Sequence, residues 1–456
     1  MSTLKLNNFA LEVLKGIKYP EKIFCVDSKG QSIKYKDLEA RTRQVAQGLK
    51  TIHNIGPGSR VAIAIDDSVH WPVLFLALIL LGANPILLFS NMVGTDIDKI
   101  ISTTGADLLI TDTEDFAFKT YIEIEGCHNW EDNVPCWWGL SSGGTGKHKI
   151  IVHNHGSFKK LYEIANEQIK VTSRDVILCT AKMAFPYGLA QMFWALRNHA
   201  TLCLITKTPA PSLIFLMIKK HNVTRLNVGP YLLNAMCDCR NRHMLLDQVK
   251  VVCSGEYLSE SLRQKVLEHL GCKVYDTYGA TEVWTTISIQ NNPDTKDMGE
   301  ILPKIDYKLV DGELYIKHPV QAMMYWKDVQ ANQKTFRDGW VATGDVVEVK
   351  DNRIRFLGRK DDMIKIKGTF VSMLDLEDTI NKCEHVEESL VSVDHSGPVA
   401  ETYALVKYRN NNDKLPELRR YLKNMLPSDK IPMKIKKVDQ LPRTVNNKLK
   451  RHVGID

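Results

Sequence analysis

The sequence predicts an α/β protein with a large N-terminal domain of parallel or mixed sheets covered by helices and a small α+β C-terminal domain. Between residues 35 and about 290, short apolar runs alternate with longer helical patterns, a rhythm that implies parallel strands under helices. After about 290 the pattern changes to short strands in which charged and apolar residues alternate, and helical signals return only near the end. The length of 456 residues is about three times that of a usual single domain.

Residues 35–50 read as a helix, with Leu38, Val45 and Leu49 near one face and Gly56-Pro57-Gly58 breaking the chain behind it. Residues 61–65 read as a buried strand. Residues 73–81, VLFLALILL, are apolar throughout. Such a run is too short for the roughly 20 residues that cross a bilayer, so it reads as a buried core helix. Pro72 suits its first turn, and Gly82 with Pro85 stops it. A strand at 86–89, a helix near 95–104 and a strand at 108–111 follow. The same rhythm returns in strands at 176–180, 201–205, 225–229 and 249–253. Parallel sheets place ligands at the C-terminal ends of their strands. Residues 306–317 and 341–357 read as strands, and 374–382 and 415–426 as helices. The charged stretch 358–362 carries no hydrophobic period and marks the expected domain boundary, giving domains 1–359 and 360–456.

Apolar residues make up 44% of the chain and charged residues 25%, ordinary globular values that exclude collagen, mucin, coiled coil and disordered tail. The formal charge is +7, and residues 411–456 alone hold 12 Lys+Arg against 5 Asp+Glu. The first 410 residues therefore balance, which argues against a surface-wide nucleic-acid coat. The C-terminal lysines are not interleaved with aromatics for stacking bases. The start of the chain lacks the layout of a secretory signal, so a cytoplasmic location with free thiols is expected for the ten cysteines. Cys237 and Cys239 have no second pair at zinc spacing.

The sharpest local signal is Ser141-Ser142-Gly143-Gly144-Thr145-Gly146-Lys147-His148-Lys149. Its glycines let the backbone approach an anion, and its hydroxyls and lysines donate to phosphate oxygens. The spacing is not that of a Walker A loop, because His148 follows Lys147.

This loop resembles the phosphate loop of the adenylate-forming enzymes: the acyl- and aryl-CoA ligases, the luciferases and the adenylation domains that load carrier proteins. It keeps Ser142, Gly143, Thr145, Gly146 and Lys149, and departs at Gly144 and His148. Four further segments are similar to the family's in the family's order. They are Asp276-Thr277-Tyr278-Gly279-Ala280-Thr281-Glu282, residues 339–345 ending in Gly344-Asp345, residues 358–368, and residues 441–448 ending in Asn447-Lys448.

The resemblance implies ATP and Mg²⁺ as cofactors, with Ser141 among the phosphate-loop residues, and assigns each site residue a part. Thr281 would bond phosphate oxygens, and Glu282 would ligate the metal, a hard cation that wants oxygen. Asp345 would accept the ribose hydroxyls, with Arg359 beside it. Tyr278 would stack on adenine, with Asp276, Gly255 and Glu256 at its edge. Lys448 would stabilise charge in the transition state of adenylation. The small C-terminal domain would be mobile about a hinge at Asp361, and Lys367 and Gly368 would line the channel for an incoming thiol.

Residues 181–190 resemble the acid-binding segment of benzoate-CoA ligases and related aryl-CoA ligases, and residues 320–326 and 334–345 resemble the corresponding segments of the same enzymes. Phe185, Tyr187, Gly188, Gly279 and Trp284 would then line a pocket suited to a flat ring. No acidic residue near 185–187 could pair an α-ammonium group, which disfavours amino acids. Thr285 stands where benzoate-type enzymes often carry His, so benzoate itself is not singled out. The implied activity is ATP-dependent activation of a small, preferably aryl, carboxylic acid, followed by thioester formation. Either CoA or the phosphopantetheine arm of a carrier protein could supply the thiol, and the basic tail suits both. A non-catalytic binding protein is the third reading, motivated by Gly144, His148 and Asn447 and opposed by Glu282, Asp345 and Lys448.

Overall fold

A computed structural model describes residues 8–112, 131–141, 149–239, 246–360, 364–366, 369–394, 401–411, 413–443 and 449–450. Its main sheet has 14 strands. One half is parallel and runs, in spatial order, through Val274–Ala280, Lys250–Cys253, Arg225–Val228, Val176–Cys179, Thr201–Leu204 and Ile23–Asp27. The other half is antiparallel and continues from Val274–Ala280 through Thr285–Ile289, Glu300–Ile301, Arg353–Arg359, Trp340–Lys350, Glu313–Lys317 and Asp306–Val310. A second sheet of six strands contains Lys149–Asn154, Pro135–Ser141, Asn84–Leu87, Arg60–Ile63 and Leu108–Ile110, with Met324–Tyr325 at its edge.

The apolar run at 73–81 lies in the helix His70–Leu81, and Trp71 to Leu81 are all buried. Such a helix is apolar all round because neighbours cover every face. Phe75 stacks on Trp71 at 5.4 Å and on Phe158 at 5.6 Å. Asn8 donates its amide to the carbonyls of Ile79 and Leu80 at 3.1 and 3.3 Å, which satisfies acceptors left open at the helix end. Gly82 takes the left-handed conformation at φ 81° that ends the helix. No helix among the described residues is long and apolar enough to cross a membrane. All the described cysteines but Cys239 are buried.

The last part of the chain builds its own layer. Strands Val386–Asp394, Glu401–Tyr408 and Lys434–Lys437 form a separate sheet. Helices Met373–Asn381 and Leu415–Met425 cover it, around a core that includes Ile380, Val391, Ala404, Leu418 and Leu422. Gly358 and Arg359, the first residues of the charged stretch, still belong to the large sheet, where they pair with Val346 and Asp345. Polar contacts tie the small layer to the body. Tyr257 donates to Asp378 at 2.6 Å, and Arg443 lies 4.7 Å over the Tyr231 ring while its guanidinium grips Glu388 at 2.6 and 2.7 Å.

His153 is the penultimate residue of the strand Lys149–Asn154, fully buried. Its ring stacks on Trp137 at 4.6 Å and lies 5.1 Å from Trp284. Burial lowers its pKa to about 3. The unfolded chain, at about 6.5, therefore takes up this proton first. The stability that rests on a neutral His153 is complete above about pH 6.5 and is lost as pH falls toward the folded value. Thermal unfolding should show a midpoint that drops across this acid window, and His153→Leu should flatten that drop. A variant with the parental slope would place the acid sensitivity elsewhere.

Candidate active site

The turn from the parallel to the antiparallel half of the large sheet brings the expected nucleotide residues together. Asp345 lies in the strand Trp340–Lys350 and is 5% exposed. One of its carboxylate oxygens accepts from the Tyr278 hydroxyl at 2.5 Å and the other from the Arg359 guanidinium at 2.8 Å. Thr343 orders the approach: its hydroxyl receives the Asp345 N–H at 3.1 Å and donates to the Leu314 carbonyl at 2.8 Å. Gly344 is required here, because it sits at φ 72° and a Cβ would stand 2.9 Å from an Arg359 nitrogen. Burial raises the Asp345 pKa, and the Arg359 charge pulls it down without winning. Arg359 is itself held above its ordinary value, chiefly by Asp345 and in smaller part by Tyr278 and Glu282. Tyr278 is buried, and its phenol is pushed up by burial and by the Asp345 charge.

A second cluster stands beside this one. Glu282 accepts a 2.5 Å hydrogen bond from the Tyr325 hydroxyl. The ammonium of Lys149 lies 5.0 Å over the ring of the same tyrosine, a cation–π contact. Tyr325 thus joins the exit of the glycine-rich loop to the candidate metal ligand. It can do so because its short strand, Met324–Tyr325, pairs with the loop's exit strand, with Tyr325 opposite Ile151. Burial raises the Tyr325 phenol, and the Glu282 charge adds to that rise, so the hydroxyl stays a donor. The half-buried Glu282 keeps its second carboxylate oxygen outside this hydrogen bond, a donor chemistry that fits Mg²⁺. The sequence signal for Tyr325 was its place within residues 320–326, similar to the aryl-CoA ligases, but only pairing in space reveals its contact with Glu282.

Asp276 lies at the other end of the strand Val274–Ala280 and is 2% exposed. It accepts from its neighbour's amide, Thr277 N–H, at 2.9 Å and from Arg263 at 3.3 Å. Burial raises its pKa to about 7 against the pull of Arg263. Gly255 and Glu256 follow the strand Lys250–Cys253, with Gly255 at φ 97°. Gly279 is exposed at a bulge between Tyr278 and itself, and Thr281 is half-buried on the turn that carries Glu282. Ser141 ends the strand leading into the glycine-rich loop and is buried.

The segment expected to bind the acid starts the helix Pro186–Asn198, at the C-terminal end of the parallel strand Val176–Cys179. Phe185 precedes the helix and packs its ring on Phe89 at 4.5 Å. The Tyr187 hydroxyl donates to Asn227 at 3.2 Å, and Asn227 donates to Gln191 at 2.7 Å. At Gly188 a Cβ would stand 2.2 Å from the Lys182 carbonyl oxygen, so glycine permits the close approach of helix and preceding loop. Trp284 takes a different position from the expected pocket wall. It is 1% exposed at φ 47°, enclosed by Trp137, His153, Phe158 and Phe193, and its indole donates to the Pro186 carbonyl at 3.3 Å. Its bulk therefore supports the helix start from behind, as a core residue. Ser142, Gly143, Thr145, Gly146, Asp361, Lys367, Gly368 and Lys448 lie outside the described residues, as do the departures Gly144, His148 and Asn447.

The chain is also similar to known proteins. Residues 15–326 match the model of the family described as AMP-binding enzyme. The chain is 26% identical to a benzoate–CoA ligase of Thauera aromatica, over 93% of this chain and 91% of that one. It is 27% identical to bacitracin synthase 1 of Bacillus licheniformis, over 92% of this chain but 9% of that protein. Its fold superposes on a benzoate CoA ligase structure from Burkholderia xenovorans LB400 with a TM-score of 0.87 at 24% identity, covering 97% of this chain and 99% of the other. With residues 15–326, more than half of its length, matched by that family's model, the chain belongs to the AMP-binding family of adenylate-forming enzymes.

Proposed function

We propose that this enzyme activates a small aromatic carboxylic acid with ATP and then passes the acyl group to the thiol of CoA. The observation that carries this reading is the buried Asp345, fixed between Tyr278 and Arg359 beside the cluster of Glu282, Tyr325 and Lys149. A carboxylate held so rigidly suits two ribose hydroxyls, since it offers two acceptor oxygens in one plane. The adjoining cations and the glutamate suit a polyphosphate and its magnesium. In the first half-reaction a carboxylate oxygen of the acid attacks the α-phosphorus. The bond to the bridging oxygen breaks, and pyrophosphate leaves. Both reactants are anions, so the site must neutralise charge before it can position them. Glu282 would hold Mg²⁺, which supplies charge neutralisation on the phosphate oxygens. Lys149 and Arg359 bring fixed positive charge, and Lys448 is assigned to the α-phosphate and the attacking carboxylate.

An aromatic acid is favoured by the ring surfaces of Phe185 and Tyr187 at the helix start and by the similarity to benzoate–CoA ligase. Loading of a carrier protein is the second reading, favoured by the similarity to bacitracin synthase 1 over nearly the whole chain. In either case residues 360–456 are assigned to a cap that turns about Asp361 between the half-reactions, because one site cannot present Lys448 and a thiol together.

Carboxylate-dependent pyrophosphate exchange across a panel of benzoates, hydroxybenzoates, short fatty acids and amino acids tests the reading. Aryl acids should support exchange, and silence with every acid would refute it. Offering CoA and a pantetheinylated carrier protein to the adenylate then separates the two acceptors. Lys448→Ala should slow exchange by about 10²–10³ with the fold intact by circular dichroism, and parental rates would remove its assigned role. Asp361→Pro should leave exchange near the parental rate while thioester formation falls by about tenfold or more. Equal loss in both half-reactions would mean that residue 361 is no hinge.

A further inference from the structure

Asp67 is a buried carboxylate that the proposed chemistry does not use. It lies between the strand Arg60–Ile63 of the six-stranded sheet and the helix His70–Leu81, and is 5% exposed. It reaches across to the large sheet, where one carboxylate oxygen accepts the Met183 N–H at 3.1 Å. The other lies 3.5 Å from the Lys182 ammonium. These two residues begin the loop that leads into the acid-binding helix. The Lys182 carbonyl accepts the Phe185 N–H at 2.9 Å and is the atom against which Gly188 packs. The six-stranded sheet sends a second arm to the same loop through Phe89, whose ring meets Phe185. The loop that ends at Phe185 and leads into the helix carrying Tyr187 and Gly188 is thus clamped from outside its own sheet, by one apolar contact and one charged one.

We propose that Asp67 is a positioning residue that fixes this loop and thereby sets which ring-substituted acids the site accepts. The proposal rests on the acid-activation reading above. A charged clamp at a buried position is otherwise a poor structural choice. Burial raises the Asp67 pKa to about 6 even with Lys182 beside it. Asp66, its neighbour in sequence, pushes it further up, and burial and after it the Asp67 charge raise the Cys179 thiol at the end of the strand Val176–Cys179. A carboxyl raised in the fold favours folding fully below its unfolded value of about 3.9 and loses that contribution as pH rises through about 6. At pH 8 the ionised Asp67 therefore works against stability, so a purely structural role would be served better by an uncharged residue.

The test compares Asp67→Ala and Asp67→Asn with the parent enzyme at pH 8. Asp67→Ala should raise the acid KM in pyrophosphate exchange by about tenfold or more while the ATP KM stays within about twofold. The order of preference among ortho-, meta- and para-substituted benzoates should change with it. Asp67→Asn, which keeps an acceptor for the Met183 amide, should recover part of the acid KM with a thermal midpoint at or above the parent's. Hydrogen exchange over residues 181–188 should quicken in Asp67→Ala, and this readout needs no substrate. A parent inactive toward every acid would sink the functional reading, while amide exchange would still decide for or against the clamp. Unchanged protection at 181–188, or an unchanged acid order with kcat and thermal midpoint falling together, would overturn the proposal. If Asp67→Ala fails to fold, Lys182→Met removes the charged half of the clamp and is judged by the same measurements.

Discussion

Asp345 is the side chain on which the candidate site turns. Its carboxylate joins the two arms of one hairpin, its own strand and that of Arg359, to Tyr278 on a strand 67 positions earlier. A buried carboxylate is costly unless charged and hydrogen-bonded partners meet it. Here the partners come from the strand that leads into the turn carrying the candidate metal ligand and from the last residue of the strand Arg353–Arg359. Fixing Asp345 therefore also fixes where the parallel half of the sheet meets the antiparallel half, and where the small C-terminal layer begins.

The other constraints are matters of close approach. Gly344 lets the Arg359 guanidinium lie against the backbone, and Gly188 lets the acid-binding helix pack onto the Lys182 carbonyl. In both places a single added methyl group would displace a group that the proposed chemistry uses. Behind them the core is rigid and aromatic, with Trp137, His153, Trp284, Phe158 and Phe193 in contact. The site is thus carried by packed elements and by short polar links between the two sheets, which suits a reaction that must hold two anions in line.

The parts that could be read from the chain share a local cause. The helix at 35–50, the apolar helix at 73–81 and the buried strands at 176–180, 201–205, 225–229 and 249–253 announce themselves by period, length and Gly/Pro stops, and the structure places elements there with ends moved by a few residues. The strand Ile23–Asp27 and the helix His155–Ile169 were not read. The strand's short run of mixed residues has little pattern of its own, and it is held by long-range pairing with Thr201–Leu204. The charged stretch 358–362 has no hydrophobic period of its own. Pairing with Asp345 and Val346 nevertheless keeps Gly358 and Arg359 inside the sheet.

The candidate nucleotide residues could be named because each motif is a contiguous string whose residue types the chemistry demands. What the chain alone determined was therefore the family's outline: alternating strands and helices, a basic C-terminal end, and the identities of Glu282, Asp345 and Arg359. What only the tertiary structure decided was who touches whom. Tyr325 meets Glu282 across 43 positions, Asp67 meets Met183 across 116, and Trp284 turns into the core instead of facing the pocket. Residues so far apart become neighbours only when the sheets close on each other, and no local period or spacing encodes that closure.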